Sequence, residues 1–200
     1  MKTQKVLFFS LYERFWHWSQ ALLIFVLTFT GLEVHGTMSV MGMEKAVNIH
    51  NVAGWALVVL EIFTLFWMMT SGQWKQYIPR FEKLVDQVKY YAVGIFQGAP
   101  HPTVKTPEAK HNPLQRLTYL GLLAALVPLQ LITGALYWGY PQYQLEGFPL
   151  ETLAVVHTLG AFGFVSFVVV HVYMTTTGHT VFSNLIAMIT GYEETEKEVH

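Results

Sequence analysis

Apolar residues in this chain fall in long, nearly unbroken blocks, without the alternation of strands or the single stripe of a soluble helix. Four blocks reach the roughly 20 residues needed to cross a bilayer: residues 15–34, 47–70, 114–138 and 152–177. Each is apolar almost all the way round, the pattern of a helix in lipid. The third begins after Pro113 and contains Pro128, which lacks a backbone donor and predicts a kink. In the connection between the second and third blocks, residues 81–96 alternate charged and apolar positions at helical spacing. This predicts an amphipathic helix on the membrane surface; an ordinary loop helix against the bundle ends has the same pattern. The first block opens with aromatics and lacks a small-residue cleavage site, so it is expected to be a span and not a signal peptide. The fold class is therefore all-α: a four-helix membrane bundle forming one domain over residues 1–200, with an acidic tail at 193–200 expected to be disordered.

Composition agrees with the pattern. Hydrophobic residues make up 52% of the chain and charged residues 12%, about half the usual share of a soluble domain. A net charge of −1 gives no case for a nucleic-acid partner. Cysteine is absent, which excludes disulfides, thiol nucleophiles, iron–sulfur ligation and covalent c-type haem attachment on this chain. Nine histidines among so few polar residues are the unusual feature.

Basic residues give the orientation. Lys2, Lys5 and Arg14 precede the first span, Lys75, Arg80, Lys83, Lys89, Lys105, Lys110 and Arg116 flank or fill the long connection, and Lys197 lies in the tail. Only Lys45 of the 12 falls on the other side, and residues 139–151 hold no Lys or Arg. Both termini and the long connection are thus expected in the cytoplasm. Trp16, Trp18, Trp67 and Trp74 mark one interface, and Tyr137, Trp138 and Tyr140 the other.

On this frame His17 starts the first span on the cytoplasmic side, and His50 starts the second on the opposite side. His157 and His171 share the fourth span. Their 14-residue separation is about 21 Å of helical rise and falls about 40° short of whole turns, so they lie on nearly one face at two depths. His157 shares the level of His50, and His171 that of His17. Two neutral imidazoles facing each other across a bundle suit the axial ligation of a haem iron. Glycine provides room beside such a pair: Gly54 follows His50 by one turn, Gly160 follows His157, and Gly31 and Gly134 sit deep in spans one and three. The same glycines also suit plain helix packing. A faint repeat points to two helix pairs. Arg14 precedes Thr30-Gly31 as Arg116 precedes Thr133-Gly134, and the stretch from His50 to Gly54 is similar to that from His157 to Gly160. Tyr119 occupies the place in span three that His17 has in span one.

These residues carry a resemblance. Glu13-Arg14-Phe15-Trp16-His17-Trp18, followed by Thr30-Gly31-Leu32, resembles the opening of the bacterial di-haem cytochrome b subunits that anchor formate dehydrogenases, NiFe hydrogenases and thiosulfate reductases. Asn112-Pro113-Leu114-Gln115-Arg116 resembles the start of the third span in the formate dehydrogenase and thiosulfate reductase branches. The resemblance covers essentially the whole chain. It implies two haem b groups, one on His50 and His157 at the periplasmic side and one on His17 and His171 at the cytoplasmic side, the pairing already given by the topology. It also implies a quinone (menaquinone or ubiquinone) near the cytoplasmic haem, with Asn112 and then Gln115 as contacts. The large middle connection, with His101, His111 and several prolines, departs from the family pattern at that pocket.

Other polar residues add candidates. Glu61 is a mid-membrane carboxylate, costly by roughly 2.5–3.5 kcal/mol on insertion scales and so expected to face the interior. About three turns after His50, it is a candidate to exchange protons with the quinone, or else a structural carboxyl bonded to a neighbouring helix. Arg14 is expected either to pair with a haem propionate or to act as a positive-inside anchor. His35 and His179 rival the periplasmic and cytoplasmic ligands respectively. The expected function is transfer of electrons between the quinone pool and a periplasmic catalytic, iron–sulfur or multihaem subunit, since the short periplasmic connections hold no catalytic domain of their own. The alternatives are a Zn or Fe transporter using the same histidines, and a purely structural anchor.

Overall fold

The structure, a computed structural model, describes residues 3–107, 109–143 and 149–196. Strand β1 (Thr3–Leu7) leads into helix α1 (Leu11–Val34), and α2 (Met43–Ser71) follows. The long connection holds a short 3₁₀ turn (Gln73–Tyr77), helix α3 (Leu84–Ala92) and a second 3₁₀ turn (Gly94–Gln97). The third span runs over Pro113–Tyr143 as α4 (Pro113–Gly121), a π turn (Leu122–Leu126) and α5 (Val127–Tyr143). The fourth is α6 (Leu150–Thr175); α7 (Ser183–Thr190) and β2 (Tyr192–Glu196) complete the described chain.

Local sequence explains where the spans begin and end. Ser10 and Glu13 form a capping box on α1: Ser10 Oγ accepts from the Glu13 N–H at 3.3 Å, and Glu13 Oε2 accepts from the Ser10 N–H at 2.7 Å. Gly72, at φ 74°, ends α2 in the left-handed conformation that favours glycine. The irregularity expected at Pro128 lies one turn earlier. Proline at 128 conflicts with the carbonyl of Ala124 four residues back, and the π turn around Ala124 absorbs that conflict.

The four spans form a bundle in which α1 packs on α2 and α5 on α6, with α2 touching α5. Its burial is inverted relative to a soluble protein. Leu22, Phe25, Phe63, Phe66 and Val169 are 63–70% exposed, while Thr30, Glu33, Glu61, Thr64, Arg116 and Thr133 are buried. Apolar side chains outside and polar ones inside is the arrangement that lipid favours.

Two expectations need correction. The surface helix is shorter than residues 81–96: it spans Leu84–Ala92, buries Gln87, and turns Val85 and Val88 outward beside Asp86 and Lys89. The acidic tail is ordered at its start. Tyr192–Glu196 pairs antiparallel with Thr3–Leu7, placing Glu194 opposite Lys5, and opposite charges across a ladder favour pairing. Gly191 makes the approach possible: its carbonyl accepts from the N–H groups of Phe8 and Phe9 at 2.8 and 3.1 Å, its φ is +89°, and a Cβ there would lie 2.7 Å from the Phe9 carbonyl oxygen. Lys2, Lys197 and residues 144–148 and 197–200, invoked above for sidedness and disorder, lie outside the described residues.

Candidate functional site

Four half-buried imidazoles meet as two pairs in the bundle. The ring centres of His50 and His157 lie 6.2 Å apart, and those of His17 and His171 lie 6.0 Å apart. Two imidazoles on opposite sides of one metal ion, with nitrogen–metal bonds of about 2 Å, have ring centres about 6 Å apart. Both pairs therefore have the spacing of two axial ligands on one iron. Among the described residues no group of three or more His, Cys, Asp or Glu side chains is gathered as a metal site. The pairs suit a metal that brings its remaining ligands with it, as porphyrin iron does.

The upper pair is held from behind by threonines. Thr30 Oγ1 lies 2.9 Å from His50 Nδ1, and Thr133 Oγ1 lies 2.9 Å from His157 Nδ1. The glycine after each threonine makes room for the ring. A Cβ on Gly31 would lie 3.5 Å from His50 Cε1, and one on Gly134 would lie 3.2 Å from His157 Cε1. Gly54 has open space where its Cβ would stand, the kind of gap a flat macrocycle needs beside its ligand. Gly160 follows the packing alternative instead: a Cβ there would lie 2.5 Å from Gln130 Oε1, so that glycine admits the Gln130 side chain.

The lower pair has different surroundings. His171 stacks on Phe167 at 5.6 Å and 18°, and His17 meets the edge of Trp18 at 5.1 Å. His17 Nδ1 is buried with no protein partner among the described residues. From Phe167 an aromatic series continues to Tyr119 at 6.3 Å, to His111 at 5.0 Å and to Tyr77 at 5.5 Å. Burial, and then the charges of Arg116, Lys110 and Lys105, push the His111 pKa down to about 3, so its ring is neutral at ordinary pH. Burial also raises the Tyr77 phenol, which stays protonated as a donor. His101, held down mainly by burial, bonds the Thr103 carbonyl at 2.7 Å.

Glu61 is buried, and Gln20 Nε2 donates to its Oε1 at 2.9 Å. Gln20 lies three residues beyond His17 on α1, so Glu61 belongs to the level of the lower pair. Asn112 and Gln115 form the capping box of α4. Asn112 Oδ1 accepts from the Gln115 N–H at 2.8 Å, Gln115 Oε1 accepts from the Asn112 N–H at 3.0 Å, and Asn112 Nδ2 donates to the Tyr91 hydroxyl at 3.1 Å. Gln115 Nε2 takes no part in the cap and bonds no other group among the described residues. Arg14 Nη1 donates to the Ile189 carbonyl at 2.8 Å, tying α1 to α7, while its Nε is buried without a partner among the described residues. His35 and His179 are exposed and join neither pair; His35 bonds Thr37 at 3.1 Å.

Sequence reasoning missed two features of this region. One is the role of Thr30 and Thr133, which stood in the repeat with no function attached. The other is Glu33, whose Oε1 accepts from the N–H groups of Val40, Met41 and Gly42 at 3.1, 2.8 and 2.6 Å and so fixes the start of the helix carrying His50. An acidic residue in the last turn of an apolar helix, followed by a short loop, was the available signal.

A family described as prokaryotic cytochrome b561 matches residues 9–191. The chain is 34% identical over 196 residues to a protein named putative cytochrome YdhU from Escherichia coli K12, covering 94% of this chain and 75% of that one. It is 26% identical over 187 residues to a probable Ni/Fe-hydrogenase B-type cytochrome subunit from Rhodobacter capsulatus, covering 80% and 70%.

Proposed function

The chain belongs to the prokaryotic cytochrome b561 family, and from that membership we propose that it moves electrons across the bilayer between a quinone on the cytoplasmic side and a redox subunit on the periplasmic side. Family membership makes it a membrane haem protein of electron transfer in the bacterial inner membrane and displaces the transporter and bare-anchor readings. The observation that carries the finer reading is the pair of imidazole spacings, 6.2 and 6.0 Å, at two depths of one bundle.

His50 and His157 would hold one haem b, and His17 and His171 the other. When bound, these groups supply a one-electron redox couple at each depth. The protein's part is to fix ligand identity, depth and surroundings. The 14-residue step from His157 to His171 puts the two histidines about 21 Å apart along α6. Arg14, one turn before His17, places positive charge near the lower centre, where it would face a propionate. A quinone reduced to its quinol takes up two electrons and two protons, so the lower site needs proton carriers as well as a ligand pair. Glu61, bonded to Gln20, is the carboxyl at that level, and Gln115 Nε2 and Asn112 at the head of α4 are the polar contacts assigned to the quinone. On the other side, the short loops leave no place for a catalytic domain. The named similarity to a hydrogenase cytochrome subunit supports a separate catalytic, iron–sulfur or multihaem subunit docking at the periplasmic face.

The test is reduction of the purified protein by a soluble quinol analogue, followed by its visible redox spectrum. Native protein is expected to be reduced. Glu61→Gln is expected to hold both haems yet be reduced at least about 100-fold more slowly, the lower range for loss of a proton-transfer group. A native protein inert to every quinol would refute the quinone reading; an unchanged rate in Glu61→Gln would remove Glu61 from it.

A further inference from the structure

We infer that Thr30 and Thr133 are positioning residues that fix the tautomer of His50 and His157 and thereby set the reduction potential of the upper centre alone. This rests on the two-haem reading above. Each threonine hydroxyl has one proton to give, and in both cases it is already directed at the helix's own backbone. Thr30 Oγ1 donates to the Val26 carbonyl at 2.8 Å, and Thr133 Oγ1 donates to the Leu129 carbonyl at 2.6 Å. The same oxygens lie 2.9 Å from His50 Nδ1 and His157 Nδ1. With the proton committed, the oxygen acts as acceptor, so each histidine carries its proton on Nδ1. The unprotonated Nε2 is then the nitrogen available to a metal. Both threonines are buried, at 1% and 7% exposure, so water does not compete for the bond.

The two helix pairs repeat this device: Thr30-Gly31 on α1 holds His50 on α2, and Thr133-Gly134 on α5 holds His157 on α6. The threonine supplies the acceptor, and the glycine beside it lets the ring approach. The lower pair differs, because His17 Nδ1 is buried without a protein acceptor among the described residues. An Nδ1–H bonded to oxygen makes Nε2 a stronger donor to the metal, which favours the oxidised iron and lowers its potential. Two chemically identical ligand sets would thus acquire different potentials from their surroundings.

The test is a spectroscopic redox titration of the whole protein, with the centres identified by the His50→Ala and His171→Ala variants. In Thr30→Val and Thr133→Val, which keep the shape and lose the acceptor, the midpoint of the His50/His157 centre is expected to rise. Haem retention there is expected to weaken at least about tenfold. The His17/His171 midpoint stays in place. Thr30→Ser and Thr133→Ser restore the native midpoint, and Thr70→Val, which removes a hydroxyl bonded only to the backbone of its own helix, moves neither. If the valine variants lose the upper haem altogether, recovery in the serine variants carries the same conclusion, and serine variants that behave like valine overturn it. Unmoved midpoints, or a shift in the lower centre, also overturn it. Fewer than two haems in native protein would refute the two-haem reading instead.

Discussion

Lys110 and Glu13 meet at 2.6 Å with side chains only 7% and 13% exposed, and this contact joins the long connection to the first turn of α1. Glu13 also closes the capping box, and the Lys110 ammonium lies 5.8 Å from the centre of the Phe9 ring. Removing one partner of such a pair strands the other charge. Lys110→Met is therefore expected to destabilise the protein by about 2–3 kcal/mol, less than a fully buried pair would lose because both groups retain some water. Thermal unfolding in detergent measures it, with Glu13→Gln/Lys110→Met recovering part of the loss. A loss under about 0.5 kcal/mol would class the contact with exposed pairs. At this scale the sequence shows residue types and not partners. Lys110 reads as one more positive-inside charge, Glu33 as the end of an apolar run and Thr30 as half of a repeat, because each acts on groups from another element that only folding brings near. The histidines were more legible, since a polar ring in an apolar helix has few roles and its depth follows from simple counting.

The spans were readable as elements because nearly continuous apolar runs leave little choice: residues 15–34 become Leu11–Val34, and 152–177 become Leu150–Thr175. Errors fell where the cause is not local. The kink moved from Pro128 to the preceding turn because the carbonyl that conflicts with the ring lies four residues back. Helix α7 went unpredicted, as its eight residues look like a tail. Its last carbonyls, on Met188 and Ile189, are taken up by Trp18 and Arg14. The tail strand needs Gly191 and the complementary strand at the other terminus. The orientation read from the basic residues has a direct test, since the chain has no cysteine. In spheroplasts an impermeant maleimide is expected to label Ser39→Cys, between α1 and α2, and to reach Glu82→Cys, in the long connection, only after permeabilisation. The reverse labelling would turn the molecule over in the membrane.

The whole molecule is a bundle of two helix pairs, α1–α2 and α5–α6, each placing a threonine-held histidine at the upper level. The lower pair departs from that symmetry: α1 and α6 supply both histidines, while Tyr119 stands on the third span. One level is thus held by a repeated hydrogen bond, and the other is joined by the aromatic contacts of Phe167, Tyr119 and His111 to the long connection. This asymmetry supports the proposed function, in which a subunit would meet one face and a small lipid-soluble carrier the other. The central claim is that each imidazole pair holds its own haem. It is tested most directly by the haem-to-chain ratio of purified protein, with redox difference spectra, for the native chain, His50→Ala and His171→Ala. Two b-type haems in the native protein, with one missing or strongly perturbed in each variant and the other intact, is the expected result. A folded native protein with a single haem that survives either substitution would contradict it.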